Sequence, residues 1–599
     1  MRPRKDETPQ DRLFDWLDRH WRLVVVLTWL GFCAWFLFRR WAEIGVFGLG
    51  DTDDNMRMMQ VRALLGGQDW FDLRQYRLSP PWGANIHWSR LVDLPIAGLV
   101  LGLRPILGGA AAERWAVAIA PMLPLLLLLF STALTARRLV HPLAYPLAFL
   151  ALFFAGSANG MFMPLRIDHH GWQLAILALG VSGMSDPNRA RGGAVLGLAS
   201  ALSLAIGLEL MIYLAVMGTA TVLFWVANAA ECERLRAFAV ALGGGTAIAF
   251  LLFASYANRS AVCDALSPVW LSDALVAGAL LFGLSQIVAE DWRRRLILAL
   301  AVGAILAGFH ALMWPHCLQR LEGVPPEATE LWLSHVREAR PIYMHGWRVA
   351  LLVATLPAVG AIGWILLAFR DLADADRFRR VLGAGVPALV AALLLLWQTR
   401  AGPAAQAMAL TGAAALAFTL VPWLWSLRIV PVKIIGAAAV LVLSAGAVVP
   451  LAFNFIPDKP STERDRAIGT ANRLCASLWG LHPIALEPKG RVMTFVDLGP
   501  RLITLTHHDA VTGPYHRNAE QIVDVMRFWR GTADNAHATV KKYRSDYVLS
   551  CPMSSSSTIF MAEAPKGFYA QLQKGDVPAW LEPVPLPENS PYRMWRVVG

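Results

Sequence analysis

The chain has 599 residues, of which 56% are hydrophobic and 16% are charged, and its mean hydropathy is +0.46. These values exclude an ordinary soluble globular protein and indicate a polytopic membrane protein. The net charge of +11 does not indicate nucleic-acid binding, because the basic residues cluster in short loops between apolar runs, as is typical of cytoplasmic loops. These loop residues are Arg137, Arg138, Arg189, Arg191, Arg234, Arg236, Arg293, Arg294, Arg295, Arg377, Arg379, Arg380, Arg428 and Lys433.

Apolar runs long enough to cross a bilayer, roughly 20 residues each, recur between residues 22 and 454. Hydropathy predicts about thirteen spans. The first run is followed by no small-residue cleavage motif, so it is predicted to remain as a helix. We expect a cytoplasmic N-terminus over residues 1–21, with Arg2, Arg4 and Lys5, and a membrane domain over residues 22–454. The predicted external segments are loops at residues 40–110, 164–172 and 315–345 and a tail at residues 455–599.

The tail has no span-length apolar run and alternates two kinds of pattern. Residues 491–496, 502–505 and 546–549 are β-rich, whereas residues 519–530 and 536–543 have helical patterns. This alternation predicts a small α/β domain with a core of its own. The predicted fold class is therefore a polytopic α-helical membrane protein with a small C-terminal α/β domain outside the membrane.

Four of the six cysteines fall in predicted external segments. Cys263 and Cys317 lie in two loops, and Cys475 and Cys551 lie in the tail. Pairs of cysteines in an oxidising compartment are typical of disulfides, so we predict Cys475–Cys551 and Cys263–Cys317. The alternative is four free, buried thiols.

Acidic and imidazole side chains gather where two apolar runs leave the membrane. Asp51 follows the first run, and Asp168, His169 and His170 end a later one. Carboxylates with one imidazole suit Mg²⁺ or Mn²⁺ better than Zn²⁺. We predict one metal centre that joins the two loops, with ligands from Asp51, Asp168 and His170. The alternative is that the aspartates are only helix caps.

Here the sequence resembles a known family. Residues 50–97 resemble the first external loop of oligosaccharyltransferase catalytic subunits, integral-membrane GT-C glycosyltransferases, in which a metal-binding Asp is followed six residues later by Arg. Asp51 and Arg57 stand at those places, and residues 83–93 (GANIHWSRLVD) are similar to a later segment of the same loop. The run Asp168-His-His170 is similar to the family's second acidic motif, which implies Asp168 and His170 as ligands.

Two more matches follow in chain order. Residues 334–341 (SHVREARP) resemble an external-loop Ser/Thr-x-x-Glu motif, which implies that Glu338 touches acceptor and metal. Arg400 resembles the family's Arg that binds the lipid-linked diphosphate. Arg57 is also predicted to bind the donor phosphate. The alternatives are a solvated Glu338 paired with Arg337 or Arg340, and an Arg400 that only extends to the membrane interface.

The tail departs from the family pattern. The family's Trp-Trp-Asp-Tyr-Gly motif binds the Ser/Thr of a glycosylation sequon, but the nearest segment here is Phe-Val-Asp-Leu-Gly at residues 495–499. The aromatic pair is absent, so transfer to a sequon Asn is not expected. Asp497 still suits an acceptor, and residues 506–518 form either a second acceptor contact or a rigid surface loop. The loop residues predicted on the acceptor side are Tyr515, His516 and Arg517.

The resemblance implies a metal-dependent enzyme that moves a sugar or oligosaccharide from a polyprenyl-(di)phosphate donor to a glycan, lipid or protein acceptor. Mg²⁺ or Mn²⁺ would neutralise the leaving phosphate, and Asp51 or Glu338 would orient or deprotonate the acceptor. The expected location is the external face of the cytoplasmic membrane. One alternative is a single-sugar transferase that uses a polyprenyl phosphate. The other is a transporter or flippase, for which Glu209, expected at a short turn between two spans, is the main interior candidate.

Overall fold

The computed structural model describes residues 9–457 and 460–598; Arg2, Arg4 and Lys5 lie outside these ranges. Up to Phe453 the described chain is almost entirely helical, because apolar segments in a membrane must satisfy their backbone hydrogen bonds internally. Its helices and its one hairpin are α1 (Pro9–Arg19), α2 (Trp21–Arg39), α3 (Trp41–Gly45), α4 (Thr52–Leu65), β1 (Arg74–Gln75), β2 (Ala84–Asn85), α5 (Asp93–Leu107), α6 (Gly109–Ile119), α7 (Met122–Leu139), α8 (Tyr145–Phe154), α9 (Gly156–Asn159), α10 (His170–Met184), α11 (Arg189–Ile206), α12 (Met211–Ala227), α13 (Cys232–Phe253), α14 (Pro268–Gln286), α15 (Trp292–Met313), α16 (Pro326–Leu331), α17 (Trp347–Arg370), α18 (Ala375–Leu394), α19 (Gly402–Ser426), α20 (Val430–Ser444) and α21 (Val448–Phe453).

Seven segments in the described ranges are long and apolar enough to cross a membrane, so the chain is a multi-pass membrane protein. An eighth is added if α8 and the following segment, Gly156–Phe162, count as one span bent by 81°. The predicted first helix is present as α2. The predicted number of about thirteen is not reached by length and apolarity alone, because several helices, such as α12 and α20, are shorter. The seven segments are Trp21–Arg39, Gly109–Leu139, Ala229–Phe253, Pro268–Gln286, Trp292–Met313, Trp347–Arg370 and Thr399–Ser426.

The tail contains a mixed five-stranded sheet with helices around it. The strand order is β4-β3-β5-β7-β6; β3 runs parallel to β4 and β5, and β7 runs antiparallel to β5 and β6. Its elements are α22 (Glu463–Cys475), α23 (Leu478–Leu481), β3 (Arg491–Met493), α24 (Gly499–Leu505), β4 (Asp509–Ala510), α25 (Ala519–Arg530), α26 (Ala533–Tyr543), β5 (Tyr547–Ser550), α27 (Ser555–Glu563), α28 (Phe568–Gln573), β6 (Leu581–Pro583) and β7 (Arg593–Val597).

One predicted strand of the tail is wrong. Residues 502–505 belong to α24, which begins with Gly499 and Pro500. Proline suits the first turn of a helix, where no backbone N–H is needed, and Leu502 and Ile503 are both buried in the resulting helix. Consecutive apolar residues in a short segment do not distinguish a buried strand from a buried helix.

The core of the tail includes residues from the predicted first external loop, which lies between α2 and α5. Met56, Leu78 and Trp88 are buried in the same hydrophobic cluster as the sheet residues. The loop also extends the sheet edge, because Ser79 N donates to Ala510 O at 2.9 Å and Ala510 N donates to Arg77 O at 3.0 Å. The first loop and the tail therefore form one folded unit.

Two disulfides are present, Cys263–Cys317 and Cys475–Cys551, and they join the pairs that the sequence predicts. The first links the loop between α13 and α14 to the segment after α15. The second links α22 to the residue after β5. Cys33 and Cys232 are free.

Candidate active site

Three carboxylates surround the guanidinium of Arg166 where the two predicted acidic loops meet. Asp51 is the N-cap of α4 and accepts a hydrogen bond from Asp53 N at 3.2 Å, so it is a helix cap as well as a site residue. Arg166 pairs with Asp51 and lies 3.3 Å from Asp54 Oδ2 and 2.7 Å from Asp168 Oδ2. The first turn of α4 and the loop before α10 thus share one ion cluster.

Backbone contacts fix the orientation of Asp168. Its backbone N donates to Asp54 Oδ1 at 3.1 Å, and its Oδ1 accepts from His170 N at 3.0 Å. Its Oδ2 is buried and lies 2.7 Å from Arg166 Nη2 and 4.0 Å from His170 Nε2, but neither contact is aligned as a hydrogen bond. A cation bound at this oxygen would therefore share it with the guanidinium of Arg166.

The cluster carries more negative than positive charge. Burial, followed by the charges of Asp51 and Asp168, raises the pKa of Asp53 to about 7. Burial likewise raises the pKa of Asp54 well above its ordinary value. Burial also acts to raise the pKa of Asp168, but His170 and Arg166 outweigh it and lower this pKa to about 2. With one guanidinium among several carboxylates, an added divalent cation would be electrostatically stabilised.

His169 lies beside His170 and pairs with Glu209. The distance from His169 Nε2 to Glu209 Oε1 is 2.8 Å, and Gln173 Nε2 donates to Glu209 Oε2 at 3.1 Å. Glu209 lies in the turn between α11 and α12, as the sequence predicts. It is therefore placed at a helix end, beside the candidate site.

Arg57 is buried beneath the site. Its side chain is 1% exposed, its Nη1 donates to Asp93 Oδ1 at 2.8 Å, and its guanidinium lies 4.3 Å from the ring centroid of Trp88. Arg90 donates to the other oxygen of Asp93 at 3.1 Å. Arg57 thus stabilises the first loop through buried contacts. Its contact with the donor phosphate stays a prediction.

Glu338 and Arg400 form an ion pair with each other. Arg400 Nη2 lies 3.3 Å from Glu338 Oε1, and both side chains are partly exposed. Their short turns are held together because Thr399 N donates to Arg340 O at 2.8 Å. The partner of Glu338 is therefore Arg400, and neither Arg337 nor Arg340.

The predicted acceptor-side residues of the tail lie against the membrane domain. Tyr515 is buried, and its hydroxyl donates to Thr52 O at 3.1 Å. His516 Nε2 lies 2.6 Å from Asp264 Oδ2, and Arg517 Nη2 donates to Asp264 Oδ1 at 2.6 Å. These three side chains connect the tail to loops of the membrane domain.

Asp497 lies on the same side as the acidic cluster. Desolvation by the surrounding protein, followed by repulsion from Asp51, raises the pKa of Asp497, although part of its side chain is exposed. The neighbouring Phe495 is buried, with its ring centroid 4.9 Å from that of Trp529. Phe495 is therefore part of the aromatic core and does not present its ring to a ligand.

Three residues of this region received no role from the sequence: Arg166 and Asp54, which stand in the two acidic clusters, and Asp264. Arg166 and Asp54 stand within two or three residues of predicted ligands, and this proximity was the available signal. Asp264 follows a predicted disulfide cysteine, but no pattern links it to Arg517, because that contact joins distant parts of the chain.

No protein-family model matches this sequence. No curated protein matches it either.

The fold is similar to solved structures of the archaeal oligosaccharyltransferase AglB from Archaeoglobus fulgidus. The structure in complex with an inhibitory peptide and a dolichol-phosphate has a TM-score of 0.67 and 15% identity, over 89% of this chain and 70% of that chain. The structure tethered with an acceptor peptide containing the NVT sequon has a TM-score of 0.65 and 15% identity, over 94% and 72%. The complex with Zn and sulfate has a TM-score of 0.59 and 15% identity, over 88% and 67%. The chain therefore has the fold of these oligosaccharyltransferase structures.

Proposed function

We propose that the protein is a glycosyltransferase that moves a sugar or oligosaccharide from a polyprenyl-(di)phosphate to an acceptor at the external membrane face. The observation that carries the proposal is the cluster of Asp51, Asp54 and Asp168 around Arg166, at the junction of two loops in an oligosaccharyltransferase-type fold. Transporters place ionisable groups near the middle of the membrane. Glu209, the interior candidate, lies at a helix end instead, and this position does not favour a transporter.

The residues present fit a divalent cation. Asp51, Asp168 and His170 would hold it beside Arg166, whose guanidinium already pairs with both carboxylates, and His170 Nε2 lies 4.0 Å from Asp168 Oδ2. Oxygen ligands with one imidazole suit Mg²⁺ or Mn²⁺. When bound, the metal would supply Lewis-acid stabilisation of charge on the leaving phosphate. Arg166 would keep the three carboxylates together and balance part of their charge.

Arg400 would bind the donor phosphate by exchanging partners. Its ion pair with Glu338 is partly exposed, and such pairs contribute little stability. A phosphate offers more negative charge than one carboxylate and accepts two parallel hydrogen bonds from a guanidinium. Glu338, once released, would be free to orient or deprotonate an acceptor hydroxyl or amide.

The acceptor would be something other than a sequon asparagine. The tail lacks the aromatic pair of the sequon-binding motif, and Phe495 is enclosed by the core. Asp497 remains partly exposed beside Asp51 and would contact the acceptor. This enclosure favours the second candidate, a single-sugar transferase that acts on a glycan or lipid.

Contacts between the loops and the tail support the predicted topology of about thirteen spans. Loops in contact lie on one side of the membrane, so an even number of crossings separates each pair. Between the loops of Asp54 and Asp168, the crossings are Gly109–Leu139 and the bent pair of α8 with Gly156–Phe162, while α5 is not counted as a crossing. The later contact loops are separated by α10 to α13, by α14 and α15, by α17 and α18, and by α19 and α20. These twelve crossings and α2 give thirteen. The basic loops then lie on the cytoplasmic side and the tail lies outside, as expected for a cytoplasmic-membrane protein. The contacts are Asp54–Asp168, Asp264–Arg517, His335–Glu563, Glu338–Arg400 and Arg62–Thr504.

The proposal predicts that the purified protein transfers the sugar of a polyprenyl-phosphate or polyprenyl-diphosphate donor in the presence of Mg²⁺ or Mn²⁺. Asp51→Asn, Asp168→Asn and His170→Ala should each lower the rate at least 100-fold, because each removes a ligand. Asp576→Asn, at an exposed position in the tail, is the matched control.

Two outcomes would contradict this assignment. Near wild-type transfer by two of the three variants with excess Mn²⁺ would exclude the metal centre. Efficient glycosylation of an Asn-x-Ser/Thr peptide would exclude the proposed acceptor class.

A further inference from the structure

Two histidines and an aspartate from three distant parts of the chain meet beside Trp88, outside the acidic cluster. His87 follows β2, Asp264 lies between α13 and α14, and His516 lies between β4 and α25. One ligand atom from each lies within 4.8 Å of the others. The ring centroids of His87 and His516 are 4.6 Å apart, and His516 Nε2 is 2.6 Å from Asp264 Oδ2.

We propose that His87, Asp264 and His516 bind a transition-metal ion of the zinc class and so link the tail to the membrane domain. Two imidazoles and one carboxylate are a ligand set for zinc and for related divalent ions, with remaining positions filled by water. The site shares no ligand with Asp51, Asp168 and His170. It is therefore independent of the proposed catalytic metal.

The His87 side chain supports this assignment. Its Nδ1 is buried and has no hydrogen-bond partner among the described residues, and an unpaired buried nitrogen is costly unless it has a ligand. Burial, followed by His516, lowers the pKa of His87 well below its ordinary value. The imidazole is thus neutral, as metal ligation requires.

The surroundings hold the three ligands in place. Arg517 donates to both oxygens of Asp264, at 2.7 Å from Nε and 2.6 Å from Nη2, which orients the carboxylate as outer hydrogen bonds do at metal sites. Asn258 Nδ2 donates to His87 O at 3.0 Å and its Oδ1 accepts from Arg517 at 2.8 Å. The disulfide of Cys263 restrains the residue next to Asp264.

Metal binding would replace the hydrogen bond between His516 and Asp264. If His516 Nε2 carries the proton of that contact, the proton leaves to water and the nitrogen lone pair is donated to the metal. One ion would then bridge the first loop, the loop after α13 and the tail. Because the unfolded chain has no such site, the ion should raise the unfolding temperature.

The test uses the full-length protein in detergent, stripped with EDTA and titrated with Co²⁺ alone. In an Asp51→Asn, Asp168→Asn background, which disables the acidic cluster, we expect one bound Co²⁺ with visible absorption. His87→Ala or His516→Ala in that background should weaken binding at least 10-fold and abolish the rise in unfolding temperature. His507→Ala, at an exposed histidine of the tail, should change neither.

The variant His87→Ala is the decisive one, because it leaves the hydrogen bonds of Asp264 to His516 and Arg517 intact. It separates metal binding from the contact between tail and membrane domain. Absence of bound Co²⁺ in the background protein, or unchanged binding in the His87→Ala and His516→Ala variants, would overturn the proposal. The three residues would then form an ion-paired contact only.

Discussion

Asp93 is the residue on which the support of the candidate site depends. Its carboxylate is fully buried and accepts hydrogen bonds from Arg57 and Arg90. Arg57 in turn lies against Trp88, whose ring contacts both Tyr515 and His169. One carboxylate therefore fixes the position of an aromatic side chain between the two candidate metal sites.

Removal of this carboxylate should destabilise the protein strongly. Asp93→Ala leaves two guanidinium groups buried without their acidic partner, so we expect a loss of about 3–5 kcal/mol in the free energy of unfolding. Thermal unfolding in detergent measures the loss, with the exposed Asp576→Ala as control. A change as small as that of the control would show that solvent or backbone groups satisfy Arg57 and Arg90.

Arg400 and Glu338 should have separable kinetic effects. Arg400→Ala removes a charge-assisted hydrogen bond to the donor phosphate, which contributes about 1.5–3 kcal/mol. The donor KM should therefore rise roughly 10- to 100-fold. Glu338→Gln should lower kcat without raising the donor KM, because it frees Arg400 from its competing partner. An unchanged donor KM in Arg400→Ala would contradict the proposed role of this side chain.

At the scale of elements, α4 and α24 connect the membrane domain to the tail. Arg501 of α24 donates to Asn55 Oδ1 at 3.1 Å, and Arg62 of α4 donates to Thr504 O at 2.7 Å. Burial lowers the pKa of Arg501 to about 10, so its guanidinium stays charged at neutral pH. These contacts hold the N-terminal turn of α4, which begins at Asp51, against the tail.

The disulfide Cys475–Cys551 should stabilise the tail by restricting its unfolded state. It closes a loop with a sequence separation of 76 residues. Loop-closure entropy then predicts that Cys475→Ser with Cys551→Ser lowers the free energy of unfolding by about 4 kcal/mol. Unfolding followed by tryptophan fluorescence, with and without reductant, measures this loss. An equal effect of reductant on the wild type and the double variant would contradict the prediction.

The sequence pattern predicted those elements whose structure depends mainly on residues close to one another in the chain. Helix α25 has the predicted bounds because its amphipathic repeat is strong, and the cysteine pairs follow from topology and compartment. Residues 502–505 were predicted as a strand, since four apolar and β-branched residues do not reveal that Pro500 begins a helix. Arg166 and Asp264 were given no role, because the contacts of Arg166 with Asp51 and Asp54 and of Asp264 with Arg517 join distant parts of the chain that only the fold brings together.

At the scale of the whole molecule, the proposed topology puts the acidic site, the tail and the disulfides on one face and the basic loops on the other. The basic loops are also bound to one another: Arg138 and Arg191 both pair with Asp186, and Arg189 and Arg234 both pair with Glu231. Tyr145 donates to Leu17 O at 3.0 Å. The N-terminal helix α1 therefore lies on the basic face.

This arrangement predicts the behaviour of reporter fusions. Alkaline phosphatase fused to the C-terminus of the full chain should be active, because the proposed topology puts the tail outside the cytoplasm. Fusion to a chain truncated after Glu290, between α14 and α15, should be inactive, because that loop lies on the basic face. The reverse pattern would refute the orientation and the external location of the site.

The shared core of the first loop and the tail has a consequence for biosynthesis. In the proposed topology, Met56, Leu78 and Trp88 reach the external face early in translation, but their packing partners in β3, β5 and β7 are made only after the whole membrane domain. At a synthesis rate of about 5–20 residues per second, the apolar side chains of this loop remain without their packing partners for tens of seconds. We expect the membrane surface or a chaperone to shield this loop during insertion, and in the proposed topology a stalled chain would expose an apolar segment outside the cell membrane.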